Sequence, residues 1–488
     1  MRSDAGAAVR MTDIRTMPSG FAGLASDSRE VRPGYLFAAL PGTRADGGAF
    51  IADAVRRGAA VVLGLPALRG EAEARGARFI ADTNPRRRLA EIAADYFGAQ
   101  PKIVAAITGT SGKTSVSVFL RQIWEQEGRR AASLGTIGLL TPAEQIKLVH
   151  TTPDAITLHR LLAGLAREGI DHLALEASSH GLDQYRLDGV RIAAAGFTNI
   201  GRDHMDYHPD FAHYLAAKLR LFELVAEHGV AAVNADAAHA DVFIRLARQR
   251  NLKLVTVGAS GGTLRLVSRA PDGAGQRIEI ACDDIIHRVN LPLVGEFQAA
   301  NALLAAGIAT GLGDPPARVL AALELLKGVP GRLEKVAYGR GASPIYVDYA
   351  HKPDALETVL KALRPHVTRR LHLVFGCGGD RDRGKRAMMG RIAARLADRT
   401  IVTDDNPRTE DPAEIRRGIR EGCPDAMEIG DRAEAIRVAI AALETGDALV
   451  IAGKGHEAEQ IVGDIVRPFR DAEEAVKAAL AHGGRADS

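Results

Sequence analysis

Apolar runs alternate with amphipathic segments along most of this chain, and the clearest boundary between them lies in IVAAITGTSGKTS, residues 103–115. Residues 103–107 are a short apolar run of the kind that a buried parallel strand shows. The apolar residues that follow have the spacing of one helix face: Val116, Phe119, Leu120, Ile123 and Trp124. The pattern predicts a strand, a glycine-rich turn and a helix that ends at Gly128, with Lys113 and Thr114 at the helix start.

This order of elements suits the binding of a polyphosphate. A helix N-terminus offers unpaired N–H groups and a partial positive charge, and glycines let the backbone approach the phosphates closely. Lys113 can reach the β- and γ-phosphates, and the Thr114 hydroxyl can ligate Mg²⁺. The general pattern G-x-x-x-x-G-K-[ST] needs glycine where Ile107 stands, so TGTSGKT is a shorter form that uses Gly109. An ordinary glycine turn before a helix is the alternative interpretation.

The hydrophobic pattern divides the chain into three α/β segments, which we predict at 18–100, 101–330 and 331–488. The first segment has strand candidates at 35–40 and 60–63 and helices at 50–57 and 84–98. In the second, helices are predicted at 156–168, 210–227 and 295–313, a strand at 172–182, and an antiparallel addition at 263–293. The third has strands at 344–350, 371–379, 399–407 and 447–455, each with polar residues at its end. Ligands collect at such ends in open α/β sheets.

Composition narrows the class of protein. The 488 residues carry a net charge of +3, which gives no electrostatic case for nucleic acid as a partner. Three widely spaced cysteines without metal-ligand spacing favour a reducing compartment. No apolar run approaches the length of a transmembrane helix, and the N-terminus lacks the apolar segment of a signal peptide. We therefore expect a cytoplasmic protein with no membrane insertion.

Several polar residues have two interpretations when each is taken alone. Glu176 follows an apolar strand beside the glycine-rich loop, so it is either a cation ligand or a buried structural acid. His204, after another strand, is either a ligand or a structural histidine. Lys218 lies on the helix predicted at 210–227, and composition alone indicates a surface lysine. The segments GCGGDRDRGKR, DDNPR and GKGHE could each be a plain turn.

Taken together, the motifs are more specific than any one of them alone. TGTSGKT, EASSHGLDQYR, NIGRDHMDYH, GEFQAANALLA, GVPGRLE, VDYAHKPDAL, GCGGDRDRGKR, DDNPR and GKGHE occur in this order between about residues 20 and 475. This set resembles the Mur ligase family. The resemblance implies three α/β domains: an N-terminal UDP-binding domain, a central P-loop ATPase domain with a parallel sheet, and a Rossmann-like C-terminal domain for the incoming amino acid.

The resemblance also implies an activity. ATP would phosphorylate the terminal carboxylate of UDP-N-acetylmuramoyl-L-alanyl-D-glutamate, and the amine of meso-diaminopimelate would attack the acyl phosphate, as a step of peptidoglycan synthesis. By the same resemblance, the catalytic residues would be Lys113, Glu176, His204 and Lys218. Thr114 and Glu176 would help to place Mg²⁺, and His204 would join a second Mg²⁺ site. Lys218 would bind Mg²⁺ as a carbamate formed with CO₂, which reverses the surface assignment of this lysine.

The remaining site residues follow from the matching motifs. ATP would contact Gly109, Thr110, Ser111, Gly112, Lys113, Thr114, Ser115, Asn301, Arg332 and Asp348, with His351 close by. The UDP-muramoyl dipeptide would contact Ser28, Thr43, Arg44, Thr151, Thr152, Ser178, Gln184 and Arg186. Diaminopimelate would contact Arg381, Asp405, Asn406, Pro407, Arg408, Gly453 and Glu457.

The choice of amino acid depends on the distal head group of diaminopimelate, which carries both an ammonium and a carboxylate. Arg381 and Arg408 suit the carboxylate, and Glu457 suits the ammonium. Lysine lacks this carboxylate and would leave a buried Arg408 unpaired, which favours diaminopimelate.

Three departures from the family pattern are modest: Ser111 stands where Asn is usual, Ser115 where Thr is frequent, and His150 where Asn is common. The alternatives are a lysine-adding relative, a folylpolyglutamate synthetase-like ligase, and a P-loop switch protein without ligase activity. The expected partners are small molecules, and the expected state is a monomer.

Overall fold

The computed structural model describes residues 20–42, 46–201 and 207–487. The chain divides into two compact units. The first contains the described residues up to Ala99 together with Asp154–Gly164 and Gln184–Val190. The second contains Gln100–Pro153, Leu165–Asp183 and the described residues from Arg191 onward. Three residues that the sequence analysis assigns to the site, Thr43, Arg44 and His204, lie outside the described residues.

The first unit is built on a four-stranded parallel sheet. Its strands, in spatial as well as chain order, are β1 (Gly23–Ala25), β2 (Tyr35–Ala39), β3 (Val61–Gly64) and β4 (Arg78–Ala81). Its helices are α1 (Ile51–Arg56), α2 (Arg69–Glu73) and α3 (Pro85–Phe97). The Asn84 side chain accepts the Arg87 N–H at 3.2 Å, and Pro85 occupies the first turn, so α3 begins where the sequence predicts.

The second unit contains the largest sheet. Its strands are β5 (Ile103–Thr108), β6 (Ala131–Gly135), β7 (Gly138–Leu140), β8 (Gln145–Ile146), β9 (His172–Glu176), β10 (Ile192–Phe197), β11 (Val225–Asn234), β12 (Lys253–Gly258), β13 (Leu264–Asp272), β14 (Gly275–Cys282) and β15 (Ile285–Leu291). Their order is β15-β14-β13-β12-β11-β10-β5-β9-β6-β7-β8. The six strands from β12 to β6 are parallel, and β13–β15 form the antiparallel addition that the sequence predicts.

In the described chain, α5 (Ala155–Arg167) belongs mostly to the first unit. Six further helices accompany the large sheet: α4 (Lys113–Gln126), α6 (Ser179–Asp183), α7 (Phe211–Glu223), α8 (Ala240–Gln249), α9 (Glu296–Gly311) and α10 (Pro316–Ala322). The predicted face of α4, with Phe119 and Trp124, packs in one apolar core with Leu303 of α9. Because β5 lies between β9 and β10, the loop that follows it shares one sheet edge with Glu176 at the end of β9.

The C-terminal part of the second unit has a seven-stranded sheet. The remaining strands are β16 (Glu334–Tyr338), β17 (Pro344–Asp348), β18 (Leu371–Phe375), β19 (Arg399–Val402), β20 (Met427–Glu428), β21 (Ala448–Ala452), β22 (Glu459–Val462), β23 (Ile465–Pro468) and β24 (Arg485–Ala486). The sheet order is β20-β19-β18-β21-β17-β16-β24, and β22–β23 form a separate hairpin. The helices are α11 (Pro353–Leu363), α12 (Lys385–Leu396), α13 (Pro412–Arg420), α14 (Arg432–Ala441) and α15 (Asp471–Ala481).

Several predicted elements are too long, and two of them have a clear physical reason. The strand predicted over 172–182 ends at Glu176, and Ser179–Asp183 is helical, because the polar EASSH segment leaves the sheet. The helix predicted over 210–227 ends at Glu223, since Val225 already pairs with Ile192 in the sheet. None of the described helices is both long enough and apolar enough to span a membrane.

Candidate active site

The loop between β5 and α4 is tightly packed at its glycines. Gly109 has φ 148° and Gly112 has φ 85°, conformations that favour glycine. A Cβ atom at Gly109 would collide with Thr198 Oγ1, and one at Gly112 would collide with Asn301 Oδ1. The loop therefore brings the start of α4 directly against Asn301.

Two lysines converge on this loop. Lys113 Nζ donates to the carbonyl oxygens of Gly109 at 2.8 Å and Thr110 at 2.9 Å. Lys218 Nζ also donates to Gly109 O at 2.8 Å and lies 4.3 Å from the centre of the Tyr214 ring. Lys218 is 1% exposed, so the surface location that composition indicates is wrong. It is buried because α7 packs its inner face against this edge of the sheet.

Glu176 lies at the same edge with its carboxylate held in place. Its Oε1 accepts the Thr136 N–H at 2.8 Å, and its Oε2 accepts the Thr136 hydroxyl at 3.1 Å. A Cβ atom at Gly135 would collide with the carboxylate, so this glycine makes room for it. Glu176 and the hydroxyl of Thr114, which lies at the start of α4, are oxygen donors of the kind that Mg²⁺ prefers. Within the described ranges, no three His, Cys, Asp or Glu side chains converge as a metal site.

Asn301 connects the loop to the C-terminal part of the unit. Its Nδ2 donates to Gln298 Oε1 at 3.3 Å, and Gln298 Nε2 donates to Arg332 O at 3.0 Å. The Arg332 guanidinium lies 4.7 Å from the centre of the Tyr349 ring. Three sequence-predicted nucleotide contacts, Gly112, Asn301 and Arg332, are therefore connected through Gln298, which sequence reasoning missed.

Asp348 ends β17 and fixes the loop after it. Its carboxylate accepts the Leu333 N–H at 2.6 Å and the Ala350 N–H at 2.8 Å. Burial raises its pKa to about 6, against the opposing effect of Arg332. Burial also lowers the pKa of His351, two residues beyond Tyr349.

Three residues predicted to contact the UDP-muramoyl dipeptide meet in the second unit. Thr152 Oγ1 donates to Glu176 O at 2.8 Å and lies 3.0 Å from Ser178 Oγ. Thr151 Oγ1 lies 3.1 Å from Thr136 Oγ1, next to the Glu176 carboxylate. The structure thus places this hydroxyl cluster beside the predicted cation ligand.

The other described members of that predicted set belong to the first unit. Ser28 is buried and lines a cavity of about 680 Å³ together with Ser26, Asp27, Arg29, Phe37, Leu40, Gly47, Phe50 and Asp53. Hydrogen bonds lower the pKa of Asp53 to about 2. The bond from Arg56 has the largest effect, and the bond from Ser28 has the next largest. Arg186 Nη2 donates to Gln184 Oε1 at 2.8 Å.

The residues predicted to contact the amino acid meet at the carboxyl ends of β18, β19 and β21. Asp405, Asn406 and Pro407 are buried directly after β19. A Cβ atom at Gly453, which has φ 118°, would lie 2.6 Å from Asp405 Oδ2. Asn406 Nδ2 donates to Glu457 Oε2 at 2.8 Å. The DNPR and GKGHE segments are therefore one cluster, which we call the strand-end cluster: Asp405, Asn406, Pro407, Arg408, Gly453, Lys454 and Glu457.

Arg408 corrects one expectation. It is half-buried rather than buried, and its Nη1 donates to Gly379 O at 2.9 Å. Its backbone has φ 53°, and its N–H donates to Ile461 O at 3.1 Å, because the chain must turn sharply to meet β22. Arg381 is exposed on the neighbouring loop.

Sequence reasoning missed several charged residues that support this cluster. Lys454, fully buried, donates to Asn406 Oδ1 at 3.0 Å, Glu457 Oε2 at 3.2 Å and Glu459 O at 2.7 Å. Arg432, also buried, pairs with Asp471 through two hydrogen bonds of 2.7 Å and donates to Ala452 O at 3.0 Å. The GKGHE motif could have drawn attention to Lys454, but no sequence signal marks Arg432.

The fold and the loop define an α/β nucleotide-binding enzyme, and comparison with known proteins identifies its family. Three domain families match: "Mur ligase family, catalytic domain" at residues 21–97, "Mur ligase middle domain" at 107–309 and "Mur ligase, glutamate ligase domain" at 331–455. The chain belongs to the Mur ligase family.

Several relatives have the name UDP-N-acetylmuramoyl-L-alanyl-D-glutamate–2,6-diaminopimelate ligase. The protein of that name from Bradyrhizobium diazoefficiens is 56% identical over 464 residues, which is 94% of each chain. The one from Caulobacter vibrioides is 49% identical and covers 96% of this chain and 98% of its own.

Solved structures agree with this assignment. A structure with the same ligase name has a TM-score of 0.72 at 34% identity and covers 95% of each chain. MurF ligase from Thermotoga maritima, solved with ADP, has a TM-score of 0.61 at 18% identity, covering 94% of this chain and 97% of its own, and so shares the fold.

Proposed function

We propose that this chain is an ATP-dependent ligase that adds meso-diaminopimelate to UDP-N-acetylmuramoyl-L-alanyl-D-glutamate, forming an amide bond in peptidoglycan precursor synthesis. The observation that carries the proposal is the strand-end cluster, where the Arg408 guanidinium and the Glu457 carboxylate are held on two loops of one sheet edge. A zwitterionic head group requires such a pair of opposite charges. The names of relatives at 49–56% identity agree with it.

The reaction joins the two substrates through an acyl phosphate. The D-glutamate carboxylate attacks the γ-phosphorus of ATP, and ADP leaves. The amine of diaminopimelate then attacks the carbonyl carbon, and phosphate leaves with the C–O bond electrons while the amine loses a proton. Phosphoryl transfer of this kind needs positioning and positive charge more than covalent chemistry from the protein.

The loop after β5 supplies that positioning. The N–H groups at the start of α4 and the Lys113 ammonium face the phosphates, with Gly109 to Ser115 as the binding segment. Lys113 exchanges its carbonyl partners, Gly109 and Thr110, for phosphate oxygens when ATP binds. Asn301, Arg332 and Asp348 border the nucleoside side.

Thr114 and Glu176 would hold Mg²⁺, because both present oxygen atoms at the sheet edge that carries the phosphate loop. When bound, Mg²⁺ neutralises charge on the phosphate oxygens during transfer. Thr136 keeps both Glu176 oxygens oriented through its N–H and hydroxyl. His204 would join a second Mg²⁺ site.

Lys218 would act as a carbamate. The ammonium first loses a proton to give the neutral amine. The amine then adds to the carbon of CO₂ and loses a second proton, so a cation becomes an anion with two oxygen donors. The surroundings support this change, because Lys113 and Lys218 donate to the same oxygen and their ammonium nitrogens are at most twice 2.8 Å apart. A carbamate replaces the repulsion between two like charges by attraction and adds oxygen ligands for Mg²⁺.

The other substrates extend this arrangement. Ser28, Thr43, Arg44, Thr151, Thr152, Ser178, Gln184 and Arg186 would bind the UDP-muramoyl dipeptide, and Arg381 would join Arg408 on the distal carboxylate. The domains of this proposal are 18–100 for UDP, 101–330 for ATP and 331–488 for the amino acid. The enzyme acts as a cytoplasmic monomer, and three buried, unpaired cysteines fit a reducing compartment.

The test is phosphate release from ATP in the presence of the UDP-muramoyl dipeptide, with meso-diaminopimelate or L-lysine added separately. Release that depends on diaminopimelate, with formation of the UDP-tripeptide, is the expected result. Release only with lysine would replace the proposal by the lysine-adding relative. ATP binding without release in either mixture would contradict ligase activity on this dipeptide.

A further inference from the structure

The ammonium of Lys454, in the GKGHE segment, is buried within the strand-end cluster. Lys454 follows Gly453 directly after β21 and is fully buried. Its three acceptors, Asn406 Oδ1, Glu457 Oε2 and Glu459 O, lie at 3.0, 3.2 and 2.7 Å. An ammonium has three N–H donors, so the three contacts account for all of them. A charge buried in this way is costly to place unless its partners are fixed.

The ammonium determines how the Asn406 amide is oriented. Asn406 Oδ1 accepts from Lys454 and from the Ile461 N–H at 3.0 Å, and both of these groups are donors. The oxygen of the amide must therefore face them, and the Nδ2 group faces Glu457 Oε2 at 2.8 Å. Without the Lys454 charge, only the Ile461 N–H still donates to Oδ1. The charged hydrogen bond that most strongly favours this orientation of the amide is then lost.

The same ammonium determines which Glu457 oxygen is available. Among the described residues, the hydrogen bonds to the Glu457 carboxylate, from Lys454 and Asn406, both fall on Oε2. Oε1 is thus left to accept an ammonium from a ligand. Glu457 is part-exposed, with 34% of its side chain accessible, so a ligand can reach it while its other oxygen is anchored.

We propose that Lys454 is a positioning residue that, together with Asn406, anchors Glu457 so that its Oε1 binds the distal ammonium of the incoming diamino acid. This inference rests on the proposed function. In this arrangement, Lys454 helps the enzyme to distinguish an amino acid with a distal ammonium from one without it. Arg381 and Arg408 bind the distal carboxylate. Lys454 acts through Glu457 and touches no reacting atom.

The experiment compares meso-diaminopimelate with L-2-aminopimelate, which keeps the attacking amine and the distal carboxylate and lacks only the distal ammonium. The wild-type ratio of kcat/KM for the two amino acids measures recognition of that ammonium. In Lys454→Met we expect this ratio to fall on the order of tenfold, the scale of one charged hydrogen bond, with KM for ATP unchanged. Lys335→Met is the matched control, because it removes a lysine of β16 that pairs with Asp487 at 3.4 Å. This variant should keep the wild-type ratio.

Glu457→Gln gives the largest change in the kcat/KM ratio that Lys454 can cause by acting through Glu457. Because Lys454 acts through Glu457, the double variant Lys454→Met/Glu457→Gln should have the ratio of Glu457→Gln alone. If Lys454→Met does not fold, Lys454→Gln takes its place, since the smaller amide removes the charge and retains a donor; the ratio is again expected to fall.

Two results in the single Lys454 variant would overturn the inference: a wild-type ratio in the folded protein, or an equal loss of kcat/KM with both amino acids, as a merely structural lysine would give. Additive effects in the double variant would also contradict it. The wild-type enzyme assayed alongside reports on the proposed function separately, because the absence of diaminopimelate-dependent phosphate release there means that the proposed function itself has failed, and the inference with it.

Discussion

Lys113 and Lys218 donate to the same carbonyl oxygen, that of Gly109, each at 2.8 Å. One lysine comes from the phosphate loop and the other from α7, 105 positions further along the chain by their numbering. Two ammonium groups at one acceptor repel each other, and a ligand phosphate or a change in the charge of Lys218 relieves that repulsion.

The first prediction concerns this pair. If Lys218 is carbamylated as proposed, activity of the wild-type enzyme should fall in CO₂-depleted buffer and recover when bicarbonate is added, because a carbamate forms reversibly. Lys218→Arg should lose at least about a hundredfold in kcat, the scale of one lost charge-stabilising group, and should not respond to bicarbonate. Steady-state phosphate release measures both effects.

The control for this prediction is Lys102→Arg, which changes an exposed lysine of the same unit. It should keep both the activity and the bicarbonate response. Wild-type activity that is indifferent to CO₂ at every enzyme and substrate concentration would argue against the carbamate.

The second prediction concerns the choice of amino acid. Arg408→Ala removes the guanidinium beside Gly379, so the preference for diaminopimelate over L-lysine should fall by roughly tenfold to a hundredfold. The measurement is kcat/KM for each amino acid. Arg340→Ala, at an exposed arginine in the same part of the unit, should leave the preference unchanged. An unaltered preference in Arg408→Ala would assign the distal carboxylate to another group.

The third prediction concerns the metal. Chelation with EDTA should abolish phosphate release, and added Mg²⁺ should restore it. Glu176→Gln keeps the shape of the side chain and an oxygen that can accept the Thr136 N–H, but it removes the charge. The Mg²⁺ concentration needed for half-maximal activity should therefore rise. Glu168→Gln, at an exposed position, is the control. An identical Mg²⁺ requirement in Glu176→Gln and wild type would exclude Glu176 as a ligand.

The fourth prediction concerns the buried pair Arg432–Asp471, both members of which have no side-chain exposure. Asp471→Ala leaves the Arg432 guanidinium buried without its carboxylate, which should lower the free energy of unfolding by about 3–5 kcal/mol. The double variant Arg432→Met/Asp471→Leu should recover much of that loss, since no charge remains buried. Urea unfolding followed by circular dichroism tests this, and equal stability of the single and double variants would contradict it.

The fifth prediction concerns pH. Burial, and then the nearby charges of Arg332 and Lys147, lower the pKa of His456 from 6.5 to about 4. Between these values the unfolded chain binds a proton at this residue and the folded chain does not. The stability that neutral His456 contributes is therefore present above pH 6.5 and is lost as the pH falls toward 4, by up to about 3 kcal/mol.

His456→Phe should remove this part of the pH dependence. The difference in Tm between variant and wild type should shift in favour of the variant as the pH is lowered from 7 to about 4.5. His150→Phe, at an exposed histidine, is the control. A difference between His456→Phe and wild type that is constant over this pH range would show that His456 does not titrate as the structure indicates.

The sequence by itself determined the local framework of the site. The apolar run, the glycines and the helical spacing around Lys113 are properties of neighbouring residues, and β5 and α4 begin within a residue of their predicted positions. The strands that lead to Glu176 and to the DNPR and GKGHE segments also begin within a residue of their predicted positions, but they end earlier, because the predicted strands ran on into the polar loops. The ordered motifs were sufficient to indicate the family.

Tertiary structure decided which charges are buried and with which partners. Lys218 is a surface lysine by composition, and only the packing of α7 against the sheet brings it to Gly109, 109 positions away. Lys454 gains its role from Asn406, 48 positions away, and Arg432 from Asp471, 39 positions away. Periodicity describes which face of an element is apolar, whereas the burial of one polar atom depends on segments that meet only after the chain has folded.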